Sequence, residues 1–283
     1  MTIFARRAAR LRELAPGHEL EAFLRLITAL VDAQHAALDK LSPGSLPSAS
    51  HIAKAKLVKQ APLDPSLWVR DATWQEALQR ILERIERAAL PEASREACDT
   101  LKAATPAELE GLADRFLQGD VAVGEAARLV FVAAALQVAW TRMAALLDVA
   151  DFAGAASTIG DCPVCGSPAL AGIVAPGGTK LGHRHLHCSL CSTAWRYVRA
   201  RCIHCGSTEK IASRQLAGTT YLRAECCESC RGYSKVFYLE NAKPIEALAD
   251  DLASLGLDVL VGEEGFARVA NPFVLGIMKQ HED

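Results

Sequence analysis

Apolar residues recur at three- and four-residue steps through most of the first half of the chain. In HELEAFLRLITALVDAQHAAL, residues 18–38, Leu20, Phe23, Leu24, Ile27, Leu30 and Val31 fall on one stripe, the mark of an amphipathic helix. TWQEALQRILERIERAAL, residues 73–90, resumes the period through Trp74, Leu78, Ile81, Leu82 and Ile85. Between them, residues 45–66 carry three prolines and many polar residues, which predicts mostly a connecting loop. Pro91 and Pro106 suit first helical turns, where the missing N–H would be unpaired in any case. Gly119 and Gly124 punctuate the approach to a helix expected to run to about Val149. That helix is apolar nearly all round, with Arg128 and Arg142 towards its ends, which predicts the buried centre of a bundle.

The pattern changes near Gly154. FAGAASTIGDCPVCG, residues 152–166, is small and turn-rich and reads as a linker. From 161 to 240 no helical period survives; short β-like runs such as HRHLHC, AWRYVRA and YSKVFYL are separated by glycine turns. After 241, Pro244 opens a short helix with Ile245, Leu248, Leu252 and Leu255 on one face, which Gly256 is placed to end. Three segments follow: a helical domain at 1–153, one module at 154–200, and a second at 201–283 that carries the C-terminal helix and tail.

Cysteines give the second half its chemistry. Of ten, Cys98 stands alone in a helical segment, as a core residue would. Eight of the rest form Cys-x-x-Cys pairs at 162/165, 188/191, 202/205 and 227/230. CPVCGSPAL aligns with CIHCGSTEK, and HCSLCSTAW with CCESCRGY, at offsets of 40 and 39 residues, so the pairs belong to a tandem repeat. Two knuckles in each repeat supply four soft ligands, which suit zinc or iron and disfavour magnesium and calcium. Duplicated units carry whole sites with them. The expected ligand sets are therefore Cys162, Cys165, Cys188 and Cys191 in one, and Cys202, Cys205, Cys227 and Cys230 in the other. A cross-brace, 162/165 with 202/205, is the rival. Both sites would be coordinatively closed, and neither a Walker loop nor a Gly-x-Ser-x-Gly elbow accompanies them, so no catalytic constellation is expected.

Net charge is −2, with 51% hydrophobic and 23% charged residues, an ordinary globular balance. Residues 161–240 hold 10 Lys/Arg against 5 Asp/Glu, an excess that thiolate-bound metals largely offset, which argues against nucleic acid. MTIFARRAARLREL has no apolar core of the kind a signal peptide needs. The most apolar stretch, 129–140, is too short to cross a bilayer of roughly 30 Å. The expectation is a cytoplasmic protein without membrane insertion.

The phrases CPVCGSPA, LHCSLCSTAWRYVRARCIHCG and CCESCRGYSKVFY resemble those of the formate dehydrogenase accessory protein family, FdhE. DDLASLGLD, EEGFARVANPF, RLRELAPGHELEAFL and APLDPSLWVRDATW extend the resemblance over nearly the whole chain. The resemblance implies a non-catalytic cytoplasmic assembly factor that binds the molybdenum- and selenium-containing catalytic subunit of respiratory formate dehydrogenase. It also implies two rubredoxin-like iron sites on the eight cysteines above, although four thiolates accept zinc as well. Cys226 departs from the family pattern and leaves open which of Cys226 and Cys227 is the ligand. The fold class expected is thus α plus a small metal-bound β part: a helical bundle, two tandem rubredoxin-like or zinc-ribbon-like four-cysteine modules, and a short C-terminal helix. Two other functions fit the cysteines: a zinc-ribbon nucleic-acid-binding regulator, and a thiol redox factor acting on the client. Beside the knuckles, His183, Arg184, His185, Trp195, Arg196 and Tyr197 form the expected docking surface, because arginine and aromatic anchors dominate interface energetics.

Overall fold

Helices α1 (Ile3–Leu14), α2 (Glu21–Lys40), α3 (Ala49–Val58), α4 (Thr73–Arg84), α5 (Glu92–Ala103), α6 (Pro106–Gln118) and α7 (Ala126–Ala144) build the first half of the computed structural model. The structure describes residues 1–42, 44–67, 69–87, 90–152, 159–176, 182–239, 244–268 and 271–273. The middle of the expected linker, Gly177 and Gly178, and the tail after 273 lie outside them. α7 is the hub: α2, α4, α5 and α6 pack on it, and α1 packs on α2. Leu129, Phe131, Val132, Leu136, Val138 and Trp140 of α7 are all buried, each contributing about 1.5–3 kcal/mol. By length and composition α7 could cross a membrane, but 67% of that window is covered by the rest of the protein. Local signals behave as written: Thr105 and Glu108 form a capping box around Pro106, and Gly119 ends α6 at φ 73°.

Two helical boundaries differ from the sequence reading. α7 stops at Ala144, and Val149–Phe152 is a separate 3-10 turn. Residues 49–58, expected within a loop, are helical: Ser48 caps His51 N at 3.2 Å, and Lys59 ends the helix at φ 54°. Ala55 is the one buried residue of α3, so no apolar stripe exists there for periodicity to detect.

The second half is one sheet. Its strands are β1 (Ala169–Val174), β2 (Arg184–Cys188), β3 (Ala194–Tyr197), β4 (Ile211–Arg214), β5 (Leu222–Cys227), β6 (Gly232–Tyr238) and β7 (Ala267–Arg268). The order is β3-β2-β1-β6-β5-β4, with β7 beside β6. Each repeat contributes an antiparallel three-stranded meander, β1–β3 or β4–β6. The first strand of one meander pairs in parallel with the last strand of the other, at Gly172↔Val236. The repeats thus join head to tail, which leaves β3 and β4 as edges. The same repeat position is therefore central in β6, buried throughout, and peripheral in β3, exposed at alternate residues.

After the sheet come two helices, α8 (Ala247–Leu252) and α9 (Leu255–Glu263), where the sequence suggested one ended by Gly256. The break is at Ser254, whose hydroxyl bonds back to Asp250 O at 2.8 Å. Lys235 Nζ on β6 takes the freed carbonyls of Asp251 and Ser254, both at 2.9 Å. Lys235 and Arg268 face Asp251 and Asp258 in a buried quartet of balanced charge, with Tyr233 Oη donating to Asp258 at 2.6 Å.

One apolar core runs from Phe4 to Phe273, through the helices, both cysteine repeats and α8–α9. Leu63 N bonds Val164 O at 2.9 Å, and Gln137 Nε2 on α7 bonds Ser189 O at 2.7 Å. On the other face of the sheet, Arg184 crosses β1 above Gly172 to reach Ser234 Oγ on β6 at 3.2 Å and Glu225 Oε2 on β5 at 2.7 Å. It ties the repeats together across four strands. A Cβ at Gly172 would stand 2.8 Å from Arg184 Nε, so only glycine lets the side chain pass. Removing one partner of a buried ion pair strands the other. Arg184→Ala should therefore lower the unfolding free energy by about 3 kcal/mol in denaturant titration, and Gly172→Ala should destabilise in the same direction.

Candidate metal centres

Three of the four Cys-x-x-Cys pairs each sit in a tight turn closed by its own backbone. Cys162 N bonds Ser167 O at 2.9 Å, Cys188 N bonds Thr193 O at 2.9 Å, and Cys202 N bonds Ser207 O at 2.8 Å. The residue after each pair takes positive φ: Gly166 at 72°, Ser192 at 59°, Gly206 at 73° and Arg231 at 56°. Two of these are glycines, each directly after its pair in the repeated Cys-x-x-Cys-Gly-Ser phrase. Ser192 and Arg231 hold the left-handed conformation at a cost of about 1–2 kcal/mol each, which shows how strongly the knuckle dictates the backbone. In that conformation backbone N–H groups turn towards sulfur. Leu190 and Cys191 N each lie 3.3 Å from Cys188 Sγ, and His204 N lies 3.4 Å from Cys202 Sγ.

Eight thiols converge in two groups, Cys162, Cys165, Cys188 and Cys191, and Cys202, Cys205, Cys227 and Cys230. Within each group all sulfurs lie within 4.8 Å of one another. Grouping is sequential, repeat by repeat, and the cross-brace does not occur. Cys162 and Cys191 Sγ are 3.6 Å apart, Cys165 and Cys188 3.4 Å, Cys202 and Cys230 3.7 Å, and Cys205 and Cys227 3.7 Å. A tetrahedral ion with metal–sulfur bonds of about 2.3 Å has sulfur–sulfur edges of about 3.8 Å. Both groups fit a single thiolate-bound ion such as zinc or iron. Bound there, an ion would have all four positions filled by protein and would act as a cross-link.

The two groups differ in their surroundings. All four thiols of the first are buried within the main core, whereas Cys205 and Cys230 of the second are exposed. Burial pushes the Cys162 and Cys188 thiols well up. At Cys191 burial acts the same way but is outweighed by hydrogen bonds from the neighbouring cysteines and Thr193, which bring it down. Cys226 and Cys227 separate clearly. Cys226 is buried beside Ala224 O, outside the group, with burial pushing it up to about 11. At Cys227 burial is overcome by backbone N–H donation from Cys230 and Ser229, lowering it to about 7. Cys227 is the residue the geometry brings to the second centre. Cys98 is fully buried within the core, away from both.

No histidine joins either group among the described residues. His204 lies over Gly232 and its ring nitrogen meets Tyr233 O at 3.1 Å, with burial lowering its pKa. His187 is lowered to about 4 by burial, then by His185, Arg7 and Arg6. Of the expected docking residues, His183 and Arg196 are exposed, and His185, Trp195 and Tyr197 are half-buried around β3. Arg184 is 1% exposed and lies beneath that surface, over the Tyr197 ring at 5.9 Å. Its alternation with His183 and His185 along the strand carried the signal: neighbours on a strand point to opposite faces.

Exposure orders the two centres. A chelator added to metal-loaded protein should strip the second centre first, leaving one metal per chain before the fold is lost. Cys227→Ser should reduce the count from two metals to one, while Cys226→Ser keeps two, as read by elemental analysis.

Three family models match this chain in succession: FdhE N-terminal over residues 1–156, FdhE central domain over 161–199, and FdhE C-terminal domain over 200–275. A protein FdhE homolog of Pseudomonas aeruginosa is 38% identical over 274 residues, covering 94% of this chain and 87% of the relative. A homolog from Haemophilus influenzae is 36% identical over 279 residues, covering 96% and 88%. The crystal structure of the FdhE protein from Pseudomonas aeruginosa superposes with a TM-score of 0.85 at 36% identity, covering 96% of this chain and 95% of that one. In sequence, in repeat architecture and in fold, the chain belongs to the FdhE family.

Proposed function

We propose that this protein is a cytoplasmic assembly factor that binds the catalytic subunit of a respiratory formate dehydrogenase, is needed for that enzyme's activity, and performs no catalysis itself. Family membership supports the client. The observation that carries the non-catalytic role is that each four-thiol group can enclose its ion completely, leaving no position for a substrate. In this reading both centres hold iron and act by shaping the sheet. The helical part, 1–153, supports the two modules, 154–200 and 201–283, which present the binding surface.

Docking falls on the β3 end of the sheet. There Arg196, paired with His185, is exposed on one face of the sheet edge and His183 is exposed just before β2, while half-buried Trp195 and Tyr197 lie on the other face opposite Leu186 and Arg184, on a strand held by the knuckle at Cys188–Cys191. A surface already fixed by metal and sheet loses little freedom on binding. Tagged protein should co-purify with the catalytic subunit, and Arg196→Glu should weaken that complex at least about tenfold with both metals retained. Equal binding by the variant would remove this surface from the reading. Retention on nucleic acid with a steep salt dependence, and no client complex, would favour a regulator instead.

A further inference from the structure

We propose that the groove between α1 and the start of α8 is the anchor pocket for an extended segment of the client, taking an aliphatic side chain with a carboxylate beside it. This rests on the client reading above and adds where, and to what chemistry, the client is held.

The groove has a volume of about 280 Å³ and is walled by Ile3, Ala9, Ile173 and Ile245, with Arg6 and His187 opening onto it. That volume lies below the range usual for small-molecule pockets, roughly 300–1,000 Å³, and suits one or two side chains. The remaining charged groups of its lining are engaged with the protein. Arg10 holds Asp250 at 2.7 Å and Glu13 at 3.0 Å. Glu246 accepts from Arg7 at 3.1 Å and caps α8 through Leu248 N at 3.1 Å and Ala249 N at 2.8 Å. Arg6 is exposed and has no ion-pair partner among the described residues, and the half-buried ring of His187 has no hydrogen bond among them. The polarity left uncommitted is therefore a guanidinium and an imidazole, set in aliphatic walls. A carboxylate matches the first as a two-pronged acceptor, and a branched aliphatic side chain matches the walls.

Continuity with the β3 surface selects an extended peptide. His183, His185 and His187 lie on one side of β2, and His185 pairs with Arg196 across to β3. Ile173 on β1 pairs with His185 in turn, so the face that bears Arg196 and His185 continues to Ile173 and His187 of the groove.

The test uses full-length, metal-loaded protein and purified catalytic subunit, with affinities measured by calorimetry. Arg6→Glu reverses the free charge, and Ala9→Trp fills the groove; both positions are exposed on α1, so the core is untouched. Each should weaken binding at least about tenfold, with two metals and an unchanged thermal transition. Short synthetic peptides tiling the catalytic subunit should include one that competes. Exchanging its acidic residue for lysine should abolish competition with wild type and restore it with Arg6→Glu. Undiminished client binding by both variants overturns the groove while leaving the client reading intact. No binding by wild type overturns the client reading, and the occupant with it. A loss of self-association in the variants, seen by sedimentation with client binding unchanged, would assign the groove to a second copy of the chain and overturn the proposal.

Discussion

Everything in this fold leans on the four thiols of the first centre. Both of its knuckles are fastened to the helical half, Val164 O to Leu63 N and Ser189 O to Gln137 Nε2. Gln137 is itself held by Gln34 of α2 at 3.1 Å, and Trp140 Nε1 bonds Leu63 O at 2.9 Å. Four sulfurs gathered inside an apolar core repel one another as thiolates and leave weak donors stranded as thiols. An enclosed ion resolves both problems. Structural thiolate sites contribute on the order of 10–16 kcal/mol, comparable to the whole stability of a typical domain. An ion bound there would couple its own binding to the mutual placement of helices and sheet.

The second repeat answers to different demands. Joined head to tail, the repeats give the second a central strand, β6, and the first an edge strand, β3. The central position buries every residue of β6 and invites the Lys235 quartet, in which α8 and α9 find their polar partners. Two of the second centre's thiols face solvent, outside the helical packing that seals the first. Duplication supplied two like sites, and unequal burial made them different in access. Arg184 is the price of the union: a charge taken from water so that one side chain can bind strands of both repeats across a glycine.

The sheet edge and the groove beside α1 follow from the same arrangement. Because β1 is committed to β6, the free edge of the first repeat falls at β3, next to the rigid Cys188–Cys191 knuckle. α8 packs against both α1 and β1, so the start of α8 and α1 form a seam over the strand that carries His187.

The sequence by itself determined the elements whose signals are local. The stripe Leu24, Ile27, Leu30 and Val31, the capping box at Thr105, the apolar run of α7 and the eight paired cysteines each specify their structure within a few residues. The 40-residue repeat was enough to group the thiols correctly, since a duplicated unit brings its whole site. The family's phrases were equally legible. Tertiary structure alone decided the rest. α3 was hidden because a helix that buries only Ala55 has no apolar period. The break at Ser254 depends on Lys235, 19 residues away, accepting the role of donor to freed carbonyls. Arg184 belongs beneath the surface because Gly172, Ser234 and Glu225 meet it there, and strand alternation does not reveal which face a sheet will cover. Local propensity is written along the chain; burial is a property of what arrives from elsewhere in it.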